Sequence, residues 1–170
     1  NPSNHPKSTA QYIELYNAGD TAASVLDMKL VTGVKTHVIN VSGGKVSISP
    51  DDFLVIGLSD KSEENGYAHV EYVVPAAEWG LETENLTVEL KAETDEIIDS
   101  VVFNGSYPQS AGKSAERKDP SGASDSPANW QPAPSLITFL EDEGYFGADL
   151  GSPGDPNFTV VEKGIVSGSS

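Results

Sequence analysis

Apolar and polar residues alternate with a period of two over much of the chain, a pattern typical of β-strands with one buried face. In residues 10–16, Ile13 and Leu15 share one face and Glu14 lies on the other. Further segments that alternate in this way, or that are rich in β-branched residues, are residues 26–30, 36–41, 53–58, 69–74, 86–90, 97–103 and 112–118. The pattern predicts seven or eight short strands, with residues 53–58 apolar enough to be buried on both faces.

Turn-forming residues separate these segments. The clearest turns are residues 17–20 (NAGD), 42–44 (SGG) and 50–52 (PDD). Short strands at regular spacing with turns between them favour an all-β sandwich. One segment departs from the period of two: residues 135–146 carry the spacing of a short helical segment, with Ser135 as its N-cap and Gly144 near its end.

Composition and charge narrow the choice of partner. The chain has 170 residues, enough for one domain, and a formal net charge of −16. A field of this sign repels phosphate backbones and anionic lipid surfaces, so we expect neither nucleic-acid binding nor membrane binding. The negative net charge has two ordinary explanations: it keeps the protein soluble, or the protein works in a salty medium that screens the repulsion between its charges. The more specific alternative is that clustered carboxylates bind a divalent cation.

The chain has no cysteine and no apolar run long enough to cross a bilayer. It begins at Asn1 without methionine, which predicts an excised domain or a processed product whose export signal has been removed.

Six blocks of sequence resemble the motifs of lamin-tail domains, and they fall in the family's order. The blocks are residues 12–17 (YIELYN), 26–30 (LDMKL), 50–56 (PDDFLVI), 112–117 (GKSAER), 129–130 (NW) and 151–157 (GSPGDPN). The positions that match the family motif are Glu14, Asn17, Arg117, Trp130, Pro153, Gly154 and Asn157. The resemblance implies an immunoglobulin-like β-sandwich.

The same resemblance implies a domain layout. Residues 1–11 form an N-terminal loop in place of the family's first strand, residues 12–157 form the sandwich, and residues 158–170 form a strand-like tail. Because exposed sheet edges recruit strands, we expect the tail to fill the vacated edge in its own molecule or in a second copy, which would give a dimer by strand exchange.

For function, the resemblance implies a non-catalytic binding or structural module, secreted or at the cell surface of a bacterium or archaeon. A protein or cell-surface component is the expected partner. Two alternatives stay open: an accessory domain cut from a larger secreted hydrolase or nuclease, and a calcium-dependent adhesive domain. Catalysis by the fragment is not expected, because its histidines (His5, His37 and His69) are scattered and match no catalytic or metal-binding motif.

A calcium site is the more serious chemical alternative, although no cofactor is required by the fold. Asp119 and Asp125 in one loop, and Asp149 and Asp155 in another segment, offer the oxygen ligands that Ca²⁺ prefers. The sequence DPSG that begins at Asp119 is also typical of a turn in which the aspartate binds nearby backbone amides. Both interpretations remain open at this point.

The aromatic residues suggest a contact surface. Trp79 beside Gly80, together with Tyr145 and Phe146, is predicted to be exposed and to contact a ligand, either a protein or a carbohydrate. For Trp130 we expect core packing, with its indole N–H on a carbonyl. For Arg117, the only arginine, we expect an ion pair or a stack that fixes the edge strand.

Overall fold

The computed structural model describes residues 11–65, 68–81, 85–108 and 112–133, together with residues 151 and 154. These residues fold as an all-β sandwich, which confirms the predicted fold class. The strands are β1 (Tyr12–Tyr16), β2 (Ala23–Ser24), β3 (Lys29–Thr32), β4 (Lys35–Val38), β5 (Ser47–Ile48), β6 (Phe53–Gly57), β7 (Tyr72–Val73), β8 (Leu86–Lys91), β9 (Ile97–Phe103), β10 (Ala115–Arg117) and β11 (Trp130–Pro132). One α-helical turn, α1 (Ser62–Asn65), and two 3-10 turns, Ala76–Glu78 and Pro127–Asn129, connect them.

Two sheets form the body of the sandwich. The four-stranded sheet has the order β4-β3-β8-β9 and is antiparallel throughout. The three-stranded sheet has the order β1-β6-β7, in which β1 and β6 are antiparallel and β6 and β7 are parallel. Two pairs of short strands, β2 with β5 and β10 with β11, stand beside these sheets.

The main core lies between the sheets. Leu30 of β3 meets Leu54 and Ile56 of β6, and all three are almost completely buried. On the opposite face of β6, Val55 packs into a second cluster with Val70. Strand β6 is therefore buried on both faces, as its apolar sequence predicts.

A series of hydrogen bonds between buried polar groups connects one sheet to the other. The Tyr72 hydroxyl of β7 lies 2.7 Å from Nε2 of His37 in β4 and accepts a hydrogen bond from the backbone N–H of Asn40. The other ring nitrogen of His37, Nδ1, is 2.7 Å from a carboxylate oxygen of Glu78. A neutral imidazole with its proton on Nδ1 satisfies every one of these groups, because Tyr72 then donates to Nε2.

Several strand boundaries differ from the sequence prediction. In the segment 26–30, the strand starts only at Lys29, because Asp27 has a φ of 63° and belongs to a turn. The strand predicted at residues 36–41 begins one residue earlier and ends earlier, at Lys35–Val38, and the strand predicted at residues 69–74 is shortened to Tyr72–Val73.

Four short elements were not predicted at all: β2, β5, β11 and the single turn α1. Each has two to four residues, too few for a periodic pattern to show. Residues 1–10, the predicted helical segment 135–146 and the tail 158–170 lie outside the described residues.

Replacing Leu54 with alanine tests the position of the core. The side chain is fully buried, so Leu54→Ala is expected to lower the free energy of unfolding by about 2–5 kcal/mol, measured by urea titration followed by circular dichroism. Val34→Ala is the control, because Val34 is 97% exposed at the β3–β4 turn; it should change the same quantity by less than about 0.5 kcal/mol. Equal effects of the two substitutions would contradict this core.

Candidate functional site

A groove of about 560 Å³ runs along the outer edge of β9. Among the described residues, β9 pairs only with β8, so its other edge is not covered by a strand. The opposite wall is the loop at residues 123–127. Side chains that line the groove include Ile97, Ile98, Asp99, Val102, Tyr107 and Asp125.

Three aliphatic side chains on the strand side of the groove are exposed. Ile97, Ile98 and Val102 are 53%, 51% and 45% exposed. The pairing of β8 with β9 jumps from Asp99 to Ile97, so Ile98 is the extra residue of a β-bulge. A bulge re-aims side chains locally, which explains how two neighbouring isoleucines are both exposed on a strand.

An aromatic cluster supports the inner end of the groove. Phe103 of β9 lies edge-on to Tyr107 and Trp130, with ring centroids 5.2 and 5.1 Å apart. The indole N–H of Trp130 donates to the backbone carbonyl of Ser124 at 2.8 Å. This bond confirms the expected carbonyl partner of Trp130, and it ties the loop wall to the aromatic cluster.

Arg117 fixes the loop from the side of β10. Its guanidinium pairs with the carboxylate of Asp99 at 3.1 Å and donates to the backbone carbonyl of Gly122. The expected ion pair of Arg117 is therefore confirmed. Because Asp99 belongs to β9 and Gly122 to the loop, the arginine holds the two walls of the groove at a fixed spacing.

The loop is also organised around the side-chain amide of Asn129. Its Nδ2 donates to the carbonyls of Asp119 and Ala123 at 2.9 and 3.3 Å, and its Oδ1 accepts from the Asp119 N–H. Asp119 in turn accepts the backbone N–H of Ser121 at 2.9 Å. This bond confirms that the aspartate caps a turn, one of the two interpretations that the sequence left open.

The predicted metal ligands are only partly described. Asp119 and Asp125 do share one loop, whereas Asp149 and Asp155 lie outside the described residues. Within the part of the chain that is described, no group of three or more histidines, aspartates or glutamates is placed to hold a metal ion. Calcium binding stays a prediction.

The electrostatics of the groove centre on Asp125. Tyr107 is only 6% exposed. Burial raises the pKa of its hydroxyl, and the nearby charge of Asp125 raises that pKa further. The negative charge of Asp125 therefore acts on Tyr107 in the aromatic cluster at the inner end of the groove.

Trp79 is not an exposed contact residue, so that expectation is wrong. Its side chain is 7% exposed and packs in the main core, and its indole N–H donates to the side chain of Gln11 at 3.2 Å. A large apolar ring gains more by closing the end of the core than by remaining in water. Tyr145 and Phe146, which were grouped with it, lie outside the described residues.

The exposed aliphatic residues of β9 were missed at the sequence level. The adjacent pair Ile97-Ile98 breaks the period of two, and this irregularity is the signal that could have indicated a bulge.

Two blocks of the lamin-tail resemblance meet in space. The backbone N–H of Gly154 donates to the carboxylate of Glu14 across 140 positions of sequence. Gly151 is buried where any added Cβ would collide with the Tyr12 hydroxyl. The closing block therefore rests on β1 of the opening block; Pro153 and Asn157 of this block lie outside the described residues.

Asn17 of the first block has a structural role. It is buried, and its Nδ2 donates to the carbonyls of Thr21, Ile48 and Ser49 at 2.9, 2.9 and 3.1 Å. One side chain thus joins the turn after β1 to the strand β5.

No family model, curated protein or solved structure matches the chain. The lamin-tail resemblance therefore stays a prediction. In the described ranges, no helix combines the length and hydrophobicity that a membrane span requires.

Removing the Asn129 amide is expected to loosen the loop wall. Asn129→Ala loses three hydrogen bonds and should lower the free energy of unfolding by about 1–2 kcal/mol in a urea titration. Ser121→Ala in the same loop should change it by less than about 0.5 kcal/mol, because the bond to Asp119 uses the backbone of Ser121. If added Ca²⁺ fully restored the stability of Asn129→Ala, a metal ion and not the amide would be the natural organiser of the loop.

The titration of Tyr107 tests the charge at the groove. Since its pKa is raised in the folded protein, its contribution to stability is complete below the ordinary pKa of tyrosine and is lost as the pH rises through the folded pKa. Asp125→Asn is expected to lower the pKa of Tyr107 towards the ordinary value, measured by NMR with isotope-labelled tyrosine and assigned with Tyr107→Phe. An unchanged titration midpoint of Tyr107 would show that the charge of Asp125 does not act on the aromatic cluster.

Proposed function

We propose that the chain is a non-catalytic binding module of the lamin-tail type, with an immunoglobulin-like sandwich, that works outside the cytoplasm and recognises a protein partner through the groove along β9. The proposal rests on one observation: β9 carries three half-exposed aliphatic side chains beside the loop at residues 123–127. These side chains are Ile97, Ile98 and Val102.

Two features support a role in binding. Single exposed aliphatic residues are ordinary, but a contiguous apolar patch bordered by polar groups often marks an interaction site. The loop wall is held by side-chain bonds from Arg117, Asn129 and Trp130, so the groove is formed before any partner arrives. A preformed surface loses little conformational entropy on binding.

The assignment to the lamin-tail type rests on residues that match its motif and that connect separate parts of the fold. Glu14 receives the N–H of Gly154, and Asn17 joins β1 to β5. Both contacts give a physical reason for a carboxylate, an amide and a glycine at those positions.

A protein partner is favoured over a carbohydrate. Sugar-binding sites commonly use an exposed aromatic face, but Trp79 is buried and Trp130 packs edge-on against Phe103. Exposed aliphatic side chains line the strand side of the groove, and these suit the apolar core of a protein interface.

Random-peptide display on the immobilised protein tests the proposal. Peptides selected on the wild type should bind the double variant Ile98→Thr, Val102→Thr at least about tenfold more weakly, because two apolar contacts are lost. Threonine keeps the β-propensity of these exposed positions, so the fold should be retained.

The matched control is Val38→Thr, Val41→Thr. Val38 is 46% exposed on β4, at the other edge of the same sheet, and Val41 is 71% exposed in the turn that follows. Affinity for the selected peptides should be unchanged in this control. Peptides that bind all three proteins equally, or no enrichment in the selection, would count against the groove as the binding surface.

A further inference from the structure

We infer that the β9 groove recognises a lysine or arginine side chain of its partner, and that the partner docks by its side chains and not by adding a strand to the sheet. This inference rests on the proposed function and specifies the partner's chemistry.

The charge around the groove is negative and only partly compensated. Residues 93–99 carry four carboxylates, of which Asp95 pairs with Lys29 at 2.6 Å and Asp99 pairs with Arg117. Within the described chain, Glu93, Glu96 and Asp125 form no salt bridge. A chain with a net charge of −16 adds a long-range field of the same sign.

A long cationic side chain fits both properties of the groove. Lysine and arginine lay their aliphatic stems along apolar surface while the charged group stays near water. Ile98 and Val102 offer that apolar surface, and Asp125 lines the same groove with a carboxylate. A purely aliphatic side chain would contact the apolar residues but leave the carboxylate of Asp125 without a partner. An acidic side chain would be repelled by that carboxylate.

The edge of β9 is blocked at its centre. The backbone N–H of Ser100 donates to the side chain of Asp99 at 2.9 Å, and its backbone carbonyl accepts from the hydroxyl of Ser124 at 2.8 Å. In an antiparallel sheet, such a residue directs both backbone groups away from its paired strand. A strand added at this edge would have to break both bonds, so docking through side chains is favoured.

Peptides selected on the wild type provide the probe. Their sequences should be enriched in lysine or arginine next to an aliphatic residue, and the neutral replacement of that residue by citrulline or acetyl-lysine should weaken binding at least fivefold. Asp125→Asn should weaken binding to a similar extent, and the affinity should fall as salt is raised. Fluorescence anisotropy with labelled synthetic peptides measures all three effects.

Asp20→Asn is the matched control, because it removes the same charge from an exposed turn outside the groove. It should change the affinity less than twofold. Equal losses in Asp125→Asn and Asp20→Asn would mean that only the general field acts, and the inference would be overturned.

The docking mode is tested with copies of the selected peptides that are N-methylated at alternate backbone amides, because an added strand must donate those N–H groups to the sheet edge. Side-chain docking predicts an unchanged affinity, whereas a loss of at least fivefold would indicate strand addition and overturn that half of the inference. Groove-dependent peptides without any cationic residue would overturn the charge assignment and leave the proposed function standing. If no groove-dependent peptide is recovered, the proposed function and the inference fall together.

Discussion

The hydrogen bonds of the Tyr72 hydroxyl connect the three-stranded sheet to the four-stranded sheet, and the alignment of the two sheets depends on them. Its ring fills the main core without any exposed surface, and its oxygen is shared between His37 and Asn40. A buried hydroxyl that lost these partners would destabilise the fold by about 1–3 kcal/mol, so the chain after β4 and the strand β7 are held in one relative position. Gly43 belongs to the same constraint, because a Cβ there would collide with the Tyr72 ring.

The groove follows from this arrangement and from the hairpin beside it. The core fixes the four-stranded sheet, and its last strand, β9, presents one edge to the loop that joins β10 to β11. Arg117 and Trp130, one from each strand of that hairpin, then set the distance between the loop and β9. The binding surface is thus built from contacts that also stabilise the fold, which is why it can be rigid although the loop has little regular structure.

Sequence patterns predicted the long strands well and the site poorly. The period of two located β1 and β8, and runs of apolar or β-branched residues located β6 and β9, each within a few residues, because each of these strands has at least five residues. Strands of two or three residues depend on a partner that the local sequence does not reveal. The ion pair of Arg117 and the carbonyl partner of Trp130 were foreseen, since a lone arginine and an indole both need polar partners. The core packing expected for Trp130 was wrong, because its ring is half-buried beside Phe103 and lies outside both core clusters. Trp79 was misplaced because it packs against core residues that are distant from it in sequence, such as Leu30 and Leu54.

The blocked centre of β9 also bears on the solubility of the protein. A strand with exposed isoleucines and an open edge is a natural template for sheets that grow from one molecule to the next and end as fibrils. With the N–H and carbonyl of Ser100 already occupied, such a stack would be interrupted in its middle, and the bulge at Ile98 twists the strand out of register with a flat neighbour. The hydrogen bonds of Ser100 and the bulge therefore oppose polymerisation along that strand, although its aliphatic side chains are exposed.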